Sequence, residues 1–308
     1  MKPLVVGTRG SALALAQAEM TENALREQFP DREIIRKVIK TTGDRRTDVP
    51  LSQVAKAEGV LDKGVFTKEL EVALEEGEVD LAVHSMKDMP TGLADHFEIV
   101  GALERAPVRD VLICSEADSL DALPEGAVVA TSSVRRQRQL SWLRPDLELV
   151  DIRGNVPTRL QKLRDNEELD AIMLAEAGLV RLGYDLSAEL DGGLHAVALE
   201  AEDFLPAAGQ GIVGFEIRKG DEDTQACVDA INHHESMLLL RAEREFLRLL
   251  DAGCHTPVGV RSWIEGKSLH MAGRVFDEHS DDDPTESSVS GEMTEPEQVA
   301  SELYNTLK

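Results

Sequence analysis

The chain has 308 residues, with 33 Lys and Arg against 58 Asp and Glu, a formal charge of −25. So negative a surface repels nucleic acid and anionic membrane at long range, and no run of about 18 apolar residues offers a membrane-spanning helix. Three cysteines in so long a chain are no disulfide framework, and the N-terminal stretch reaches Thr8-Arg9 too soon for a signal peptide, so a soluble, cytoplasmic protein of two or three domains is expected.

Through residue 220, short β-rich runs alternate with helical patterns, which predicts α/β units with largely parallel sheets. Strands are expected at residues 4–7, 33–39, 79–83, 111–114, 127–130, 147–152, 171–174, 196–199 and 212–217. Helices are expected at 11–29 and 67–76. Beyond Gly220 the pattern changes to two helices, 223–231 and 235–250, then weak strands at 259–264 and 268–276 and a last helix from 296. The acidic run 277–286 reads as a solvated loop.

Three strand-to-helix junctions carry arginine: Gly7-Thr8-Arg9-Gly10-Ser11, Thr131-Ser132-Ser133-Val134-Arg135-Arg136 and Arg153-Gly154-Asn155-Val156-Pro157-Thr158-Arg159. Ser11, Ser132 or Ser133, and Asn155 are suited to cap the helices, and Pro157 suits a first turn. In open α/β sheets such junctions lie at the carboxyl ends of strands, where ligands bind. A helix N-terminus is already partly positive, so arginine beside it makes an anion receptor. Residues 131–164 hold eight Lys and Arg against three acids. A positive pocket in a negative protein suits a small or enclosed anion; pairing with surface carboxylates is the plainer account of any single arginine.

The strand ending in His84-Ser85-Met86-Lys87-Asp88-Met89-Pro90 puts ionisable groups on the same cleft side. Asp88 is either a turn residue or a carboxylate that moves protons or stabilises a cation, and spacing alone leaves both open. Cys254-His255 follows a helix C-terminus, which disfavours a thiolate. No second Cys or His stands at ligand spacing, so no metal site is expected. Cys114 and Cys227 read as packing residues.

Taken in order, Thr8 to Gln17, Phe66-Thr67-Lys68-Glu69-Leu70-Glu71, His84 to Pro90, Thr131 to Arg136, Arg153 to Leu160, Gly209-Gln210-Gly211, and Glu243-Arg244 through Cys254 resemble the porphobilinogen deaminase (hydroxymethylbilane synthase) family over essentially the whole chain. The resemblance implies two periplasmic-binding-protein-like α/β domains, residues 1–104 with 200–219 and 105–199, plus a small C-terminal α+β domain, 220–308. It implies a monomeric transferase of porphyrin biosynthesis that joins four porphobilinogens head to tail into hydroxymethylbilane, with loss of ammonia. Its covalent dipyrromethane cofactor would hang by a thioether from Cys254. Ser85, Lys87, Asp88, Thr131, Ser133, Arg135 and Arg136 would hold that cofactor. Arg9, Ser11, Arg153, Gly154, Arg159 and Arg181 would hold the substrate and growing chain. Asp88 would be catalytic. Two departures from the family pattern stand out: Ala252-Gly253 where Gly-Gly is usual, and a longer stretch at 50–66. The rival class is a non-catalytic two-lobed binding protein for a dicarboxylate or oxyanion, which accounts for the arginines but not for Lys87-Asp88 together with Cys254.

Overall fold

The computed structural model describes residues 2–45, 62–251, 256–278, 280 and 282–308. Cys254 and most of the 50–66 stretch lie outside the described residues.

The first sheet takes β1 (Leu4–Arg9), β2 (Ile34–Ile39), β3 (Leu81–Ser85), β4 (Phe97–Ala102) and β10 (Val213–Arg218) in the order β2-β1-β3-β10-β4. The second takes β5 (Asp110–Cys114), β6 (Val128–Ala130), β7 (Glu148–Val150), β8 (Ala171–Ala175) and β9 (His195–Ala198) in the order β7-β6-β8-β5-β9. Around the sheets lie α1 (Ala12–Gln28), the single turn α2 (Thr42–Arg45), α3 (Lys68–Glu75), α4 (Val134–Leu143), α5 (Val156–Asp165), α6 (Glu176–Arg181) and α7 (Glu222–Asp229). A third unit sets α8 (His234–Leu249) and α9 (Pro296–Thr306) with an antiparallel sheet of β11 (Val258–Glu265), β12 (Ser268–Val275) and β13 (Thr285–Glu292). Two mixed α/β units and a small α+β unit match the expected fold class.

Local chemistry accounts for the junctions. The Ser11 side chain accepts from Ala14 N and the Asn155 side chain from Thr158 N, so both cap their helices as expected. Ser133 occupies the third cap position without a side-chain bond, and Ser132 Oγ binds the backbone of Ile152. Along α1, Ala14, Ala18, Thr21 and Leu25 are buried at helical spacing, and Leu25 packs with Leu4, Val6, Leu81, Val83 and Phe215. Each such large apolar side chain contributes roughly 1.5–3 kcal/mol on burial.

The sheets are less parallel than expected. β1 runs parallel to β2 and β3, but β10 is antiparallel to β3 and β4; likewise β6 is parallel to β7 and β8, and β5 antiparallel to β8 and β9. The reversed strands are the two that the chain enters on crossing from the other sheet. The crossovers lie side by side, Leu103 N donating to Val213 O and Ala106 N to Gly211 O, both at 3.0 Å. Gly211 has φ +84°, and a Cβ there would collide with the Ala106 carbonyl, so glycine is required for this approach.

Two strands carry weak sequence signals and are absent from the expected set, β4 and β13. β13 begins inside the acidic run, so that run is not wholly a solvated loop. Glu286 pairs with Arg274, Trp142 Nε1 donates to Asp283 at 3.0 Å, and Arg138 bonds the carbonyls of Asp277 and Ser280. The loop is thereby fastened to α4. Cys114 and Cys227 are buried, as expected of packing residues.

Candidate active site

A cleft of about 430 Å³ opens at the carboxyl ends of β1 and β3, lined among others by Arg9, Ser11, Gln17, His84, Ser85 and Asp88. The observed β3 ends at Ser85, two residues beyond its expected end, so His84 and Ser85 are strand residues and Lys87-Asp88 form the short 3₁₀ turn that follows. Gln17 Nε2 reaches from α1 to donate to Ser85 Oγ at 2.7 Å. The Arg9 guanidinium carbon lies 4.1 Å from the Phe66 ring centre, a cation–π contact that steadies it at the cleft wall.

The second sheet brings its own cations toward the same carboxylate. Burial pushes the Arg159 guanidinium down to about 10, the nearby charges of Arg136 and Arg153 push the same way, and Asp88 opposes them. Burial likewise lowers the half-buried Lys87 to about 8, with Asp88 and Asp110 raising it and Arg136 and Arg135 lowering it. Lys87, Asp88, Arg135, Arg136, Arg153 and Arg159 therefore share one electrostatic environment, although three segments far apart in sequence supply them. Asp88 lines the first cleft with Arg9 and Ser11, and its charge also acts on Arg159 of the second unit.

Arg135 and Arg136 point inward. Arg136 donates Nε and Nη2 to Asp110 Oδ1, at 2.9 and 2.6 Å, and Nη1 to Met173 O at 2.9 Å. Arg135 Nη1 donates to Leu205 O and pairs with Asp110 Oδ2 at 2.8 Å, while its Nε is buried without a partner among the described residues. Burial alone would push the Asp110 carboxyl up; the two arginines outweigh it and hold the group down to about 2. A ligand thus has the donors that these bonds leave over to address, Nε of Arg135 and the remaining hydrogens of Arg136. Thr131 is fully buried, its Oγ1 accepting from Ser133 N at 3.3 Å.

Gly154 takes φ +118°, where a Cβ would meet Thr158 at 2.8 Å, and its carbonyl accepts from Arg159 Nε at 2.8 Å. That turn orients Arg159. Arg181 stands apart from the cluster: its Nη2 donates to Gly211 O at 2.7 Å, tying α6 to the second crossover, and burial lowers it to about 10.

The family model described as Porphobilinogen deaminase, dipyromethane cofactor binding domain, matches residues 4–226, and that described as Porphobilinogen deaminase, C-terminal domain, matches residues 237–308. The chain belongs to the porphobilinogen deaminase family. Porphobilinogen deaminase of Alkaliphilus metalliredigens is 45% identical over 277 residues, 89% of this chain and 83% of the relative. That of Chlorobaculum parvum is 45% identical over 278 residues, 89% and 84% respectively. Among solved structures, the periplasmic aliphatic sulphonate binding protein SsuA from Escherichia coli aligns over 82% of this chain and 71% of its own, at 14% identity and a TM-score of 0.45.

The dipyrromethane cofactor of porphobilinogen deaminases carries acetate and propionate groups, and the donor set here fits them. Half-buried Lys87 stands beside Asp88 with its ammonium lowered to about 8, and Arg135 keeps a buried, unpartnered Nε. Buried donors without partners are costly and call for an acceptor. Among the described residues no group of acids, cysteines and histidines could hold a metal, and no helix is long and apolar enough to cross a membrane.

Sequence reading overlooked Asp110, the buried counter-charge of both arginines, and Glu243, which joins the third unit to both crossovers. Arg105 donates to it through Nη1 and Nη2 at 2.8 and 3.1 Å, Ser262 Oγ at 2.6 Å and Gly209 N at 2.6 Å. The available signal was an acid set against an apolar strand in one case and on an apolar helix face in the other. Arg244, beside Glu243, donates to the carbonyls of Pro90 and Thr91 and so braces the loop that carries Asp88.

Proposed function

We propose that the chain condenses four porphobilinogen molecules head to tail into hydroxymethylbilane, releasing ammonia at each step, with Asp88 as the catalytic carboxylate and Cys254 as the attachment point. The observation that carries this reading is one carboxylate, Asp88, set beside Arg9 in the first cleft and acting on Arg159 of the second unit. When bound, the dipyrromethane supplies the nucleophilic pyrrole end from which the chain grows. Lys87 and Arg135, with Ser85, Thr131 and Ser133, hold its carboxylates by charge-assisted bonds, and Arg136 does so with its remaining hydrogens. Arg9, Ser11, Arg153 and Arg159 hold the carboxylates of incoming substrate, Gly154 sets the turn, and Arg181 lines the approach. Asp88 accepts from pyrrole N–H groups and stabilises the positive charge that develops on the substrate as ammonia departs.

The working units are residues 1–104 with 200–219, 105–199 and 220–308, and the enzyme acts as a cytoplasmic monomer. A net charge of −25 supports a small anionic ligand over nucleic acid.

Intact-protein mass spectrometry tests the reading. The active chain is expected to be heavier by two deaminated porphobilinogen units, mapped by peptide analysis to Cys254, and Cys254→Ser to lose both adduct and activity. An unmodified chain that still polymerised porphobilinogen would refute the attachment. An unmodified, inactive chain that bound a dicarboxylate would favour the binding-protein reading.

A further inference from the structure

The turn Gly209-Gln210-Gly211 closes the second crossover just ahead of β10, and it touches both sides of the site. Gly209 takes φ +72°, and a Cβ there would lie 2.8 Å from the Met86 carbonyl carbon and 3.0 Å from Lys87 N. Only glycine lets this turn press against the 3₁₀ turn that carries Lys87 and Asp88. Ile212 O accepts from Met86 N at 3.0 Å, which holds the two turns together. In the other direction the Gln210 side chain reaches the second unit. Its Nε2 donates to Val108 O at 2.7 Å and to Asp110 Oδ1 at 3.3 Å. That Asp110 oxygen is the one that also accepts from Nε and Nη2 of Arg136.

Gln210 is 1% exposed, and its Oε1 is buried with no partner among the described residues. A desolvated amide oxygen is a cost that a residue kept for packing alone would avoid. The orientation of the amide is nonetheless forced, because the reverse one would set Oε1 against oxygens of Val108, Arg109 and Asp110. What holds the side chain in place is its donor end. The backbone is fixed as firmly: Gln210 N donates to Ala207 O at 3.0 Å, Gln210 O accepts from Arg105 Nε at 2.9 Å, and Gly209 N donates to Glu243. One short turn therefore has its main chain against Lys87 and a side chain on the counter-ion of Arg136.

We propose that Gln210 is a positioning residue: by tying Asp110, and through it Arg136, to the turn that Gly209 presses against Lys87, it fixes the spacing between two cations that hold the cofactor carboxylates. The proposal rests on the porphobilinogen reading for its ligand. The carboxylates of a dipyrromethane stand at set positions around two linked rings. A shift of Arg136 relative to Lys87 therefore tilts those rings and displaces the pyrrole end from which the chain grows. On the same reading other residues, Arg9, Ser11, Arg153 and Arg159, hold the incoming substrate. Misplacing the cofactor thus slows bond formation and leaves substrate affinity intact.

Gln210→Met keeps the length of the side chain and removes its donor. The holoenzyme is expected to retain the wild-type circular dichroism spectrum and the adduct on Cys254, with kcat about tenfold lower and KM within about twofold of wild type. A second readout reports on Arg136 itself. In protein labelled with ¹⁵N-arginine, the Arg136 Nε–H is assigned by comparison with Arg136→Lys. It is expected to exchange with water about tenfold faster in Gln210→Met than in wild type, while the Arg105 Nε–H, bonded to the backbone of residue 210, exchanges at an unchanged rate. Gln210→Asn keeps the amide but is too short to reach Asp110; it is expected to behave like Gln210→Met and decides the matter if that variant does not fold. Wild-type kcat, unchanged exchange at Arg136, or a raised KM with kcat intact would overturn the proposal. Absence of the Cys254 adduct from wild type would instead overturn the porphobilinogen reading, and the exchange comparison would still decide whether Gln210 acts on Arg136.

Discussion

Asp110 Oδ1 accepts from both Nε and Nη2 of Arg136, at 2.9 and 2.6 Å, inside the second sheet rather than at the surface of the cleft. The same carboxylate pairs through Oδ2 with Arg135. One buried anion therefore sets the position of two cations at the start of α4. The pair of arginines keeps a surplus positive charge that a ligand carboxylate can neutralise.

Asp110→Asn is expected to destabilise the chain by about 3–5 kcal/mol, because it leaves two buried guanidinium groups facing an amide. Urea unfolding at pH 7 measures this. The pH dependence follows from a carboxyl held down to about 2. A depressed carboxyl contributes its full stability above its unfolded value near 4, and loses it as pH falls through the folded value. The gap between wild type and Asp110→Asn is accordingly expected to narrow from pH 4 toward pH 2. A gap that stayed constant would mean that Asp110 does not titrate with folding.

Glu243→Gln is expected to cost a similar 3–5 kcal/mol, and to do so through both crossovers. The variant leaves Arg105 without its buried counter-ion and weakens the contact with Gly209 N. Limited proteolysis should show faster cleavage in 103–109 and 199–212 than in the sheets. Wild-type resistance at both segments would show that the crossovers hold without Glu243.

Asp88→Asn is expected to keep the fold and the adduct while losing more than nine-tenths of turnover. The amide preserves shape but not charge, and the loss of a preorganised group facing a developing cation raises the barrier by more than ~1.4 kcal/mol. Single-turnover assays of ammonia release measure it. A variant retaining wild-type turnover would reduce Asp88 to a turn residue.

Lys87 makes carboxylate binding pH-dependent. Burial lowers its ammonium to about 8, with Asp88 pulling the other way. An anion favours the charged form, so affinity is highest below that value and falls as pH rises through it. For Cys254→Ser, which cannot be loaded, calorimetric titration with porphobilinogen should weaken roughly tenfold from pH 7 to pH 9.5, and Lys87→Met should flatten that dependence. The linkage has a second sign. The unfolded chain binds more protons at this lysine than the folded chain does, so the unliganded protein gains stability as pH rises from about 8 toward the ordinary lysine range.

What the sequence determined by itself was local. Ser11 and Asn155 cap their helices because a cap needs only a side chain three residues before its donor. The alternation of strands and helices marked where the cationic junctions stand, and the ordered motifs named the family. Tertiary structure decided what those cations face. Asp110 reaches Arg136 across 26 residues and Glu243 reaches Arg105 across 138, pairings that no local pattern encodes. The reversed senses of β5 and β10 arise only because the chain enters each sheet from the other. β13 was illegible for a related reason: as an edge strand with little beyond Val289 to bury, it draws its order from the β12 ladder rather than from its own hydrophobic pattern. His84 and Glu216 show the same division, since Nε2 of one lies 3.0 Å from Oε2 of the other only because the register of β3 and β10 makes them diagonal neighbours.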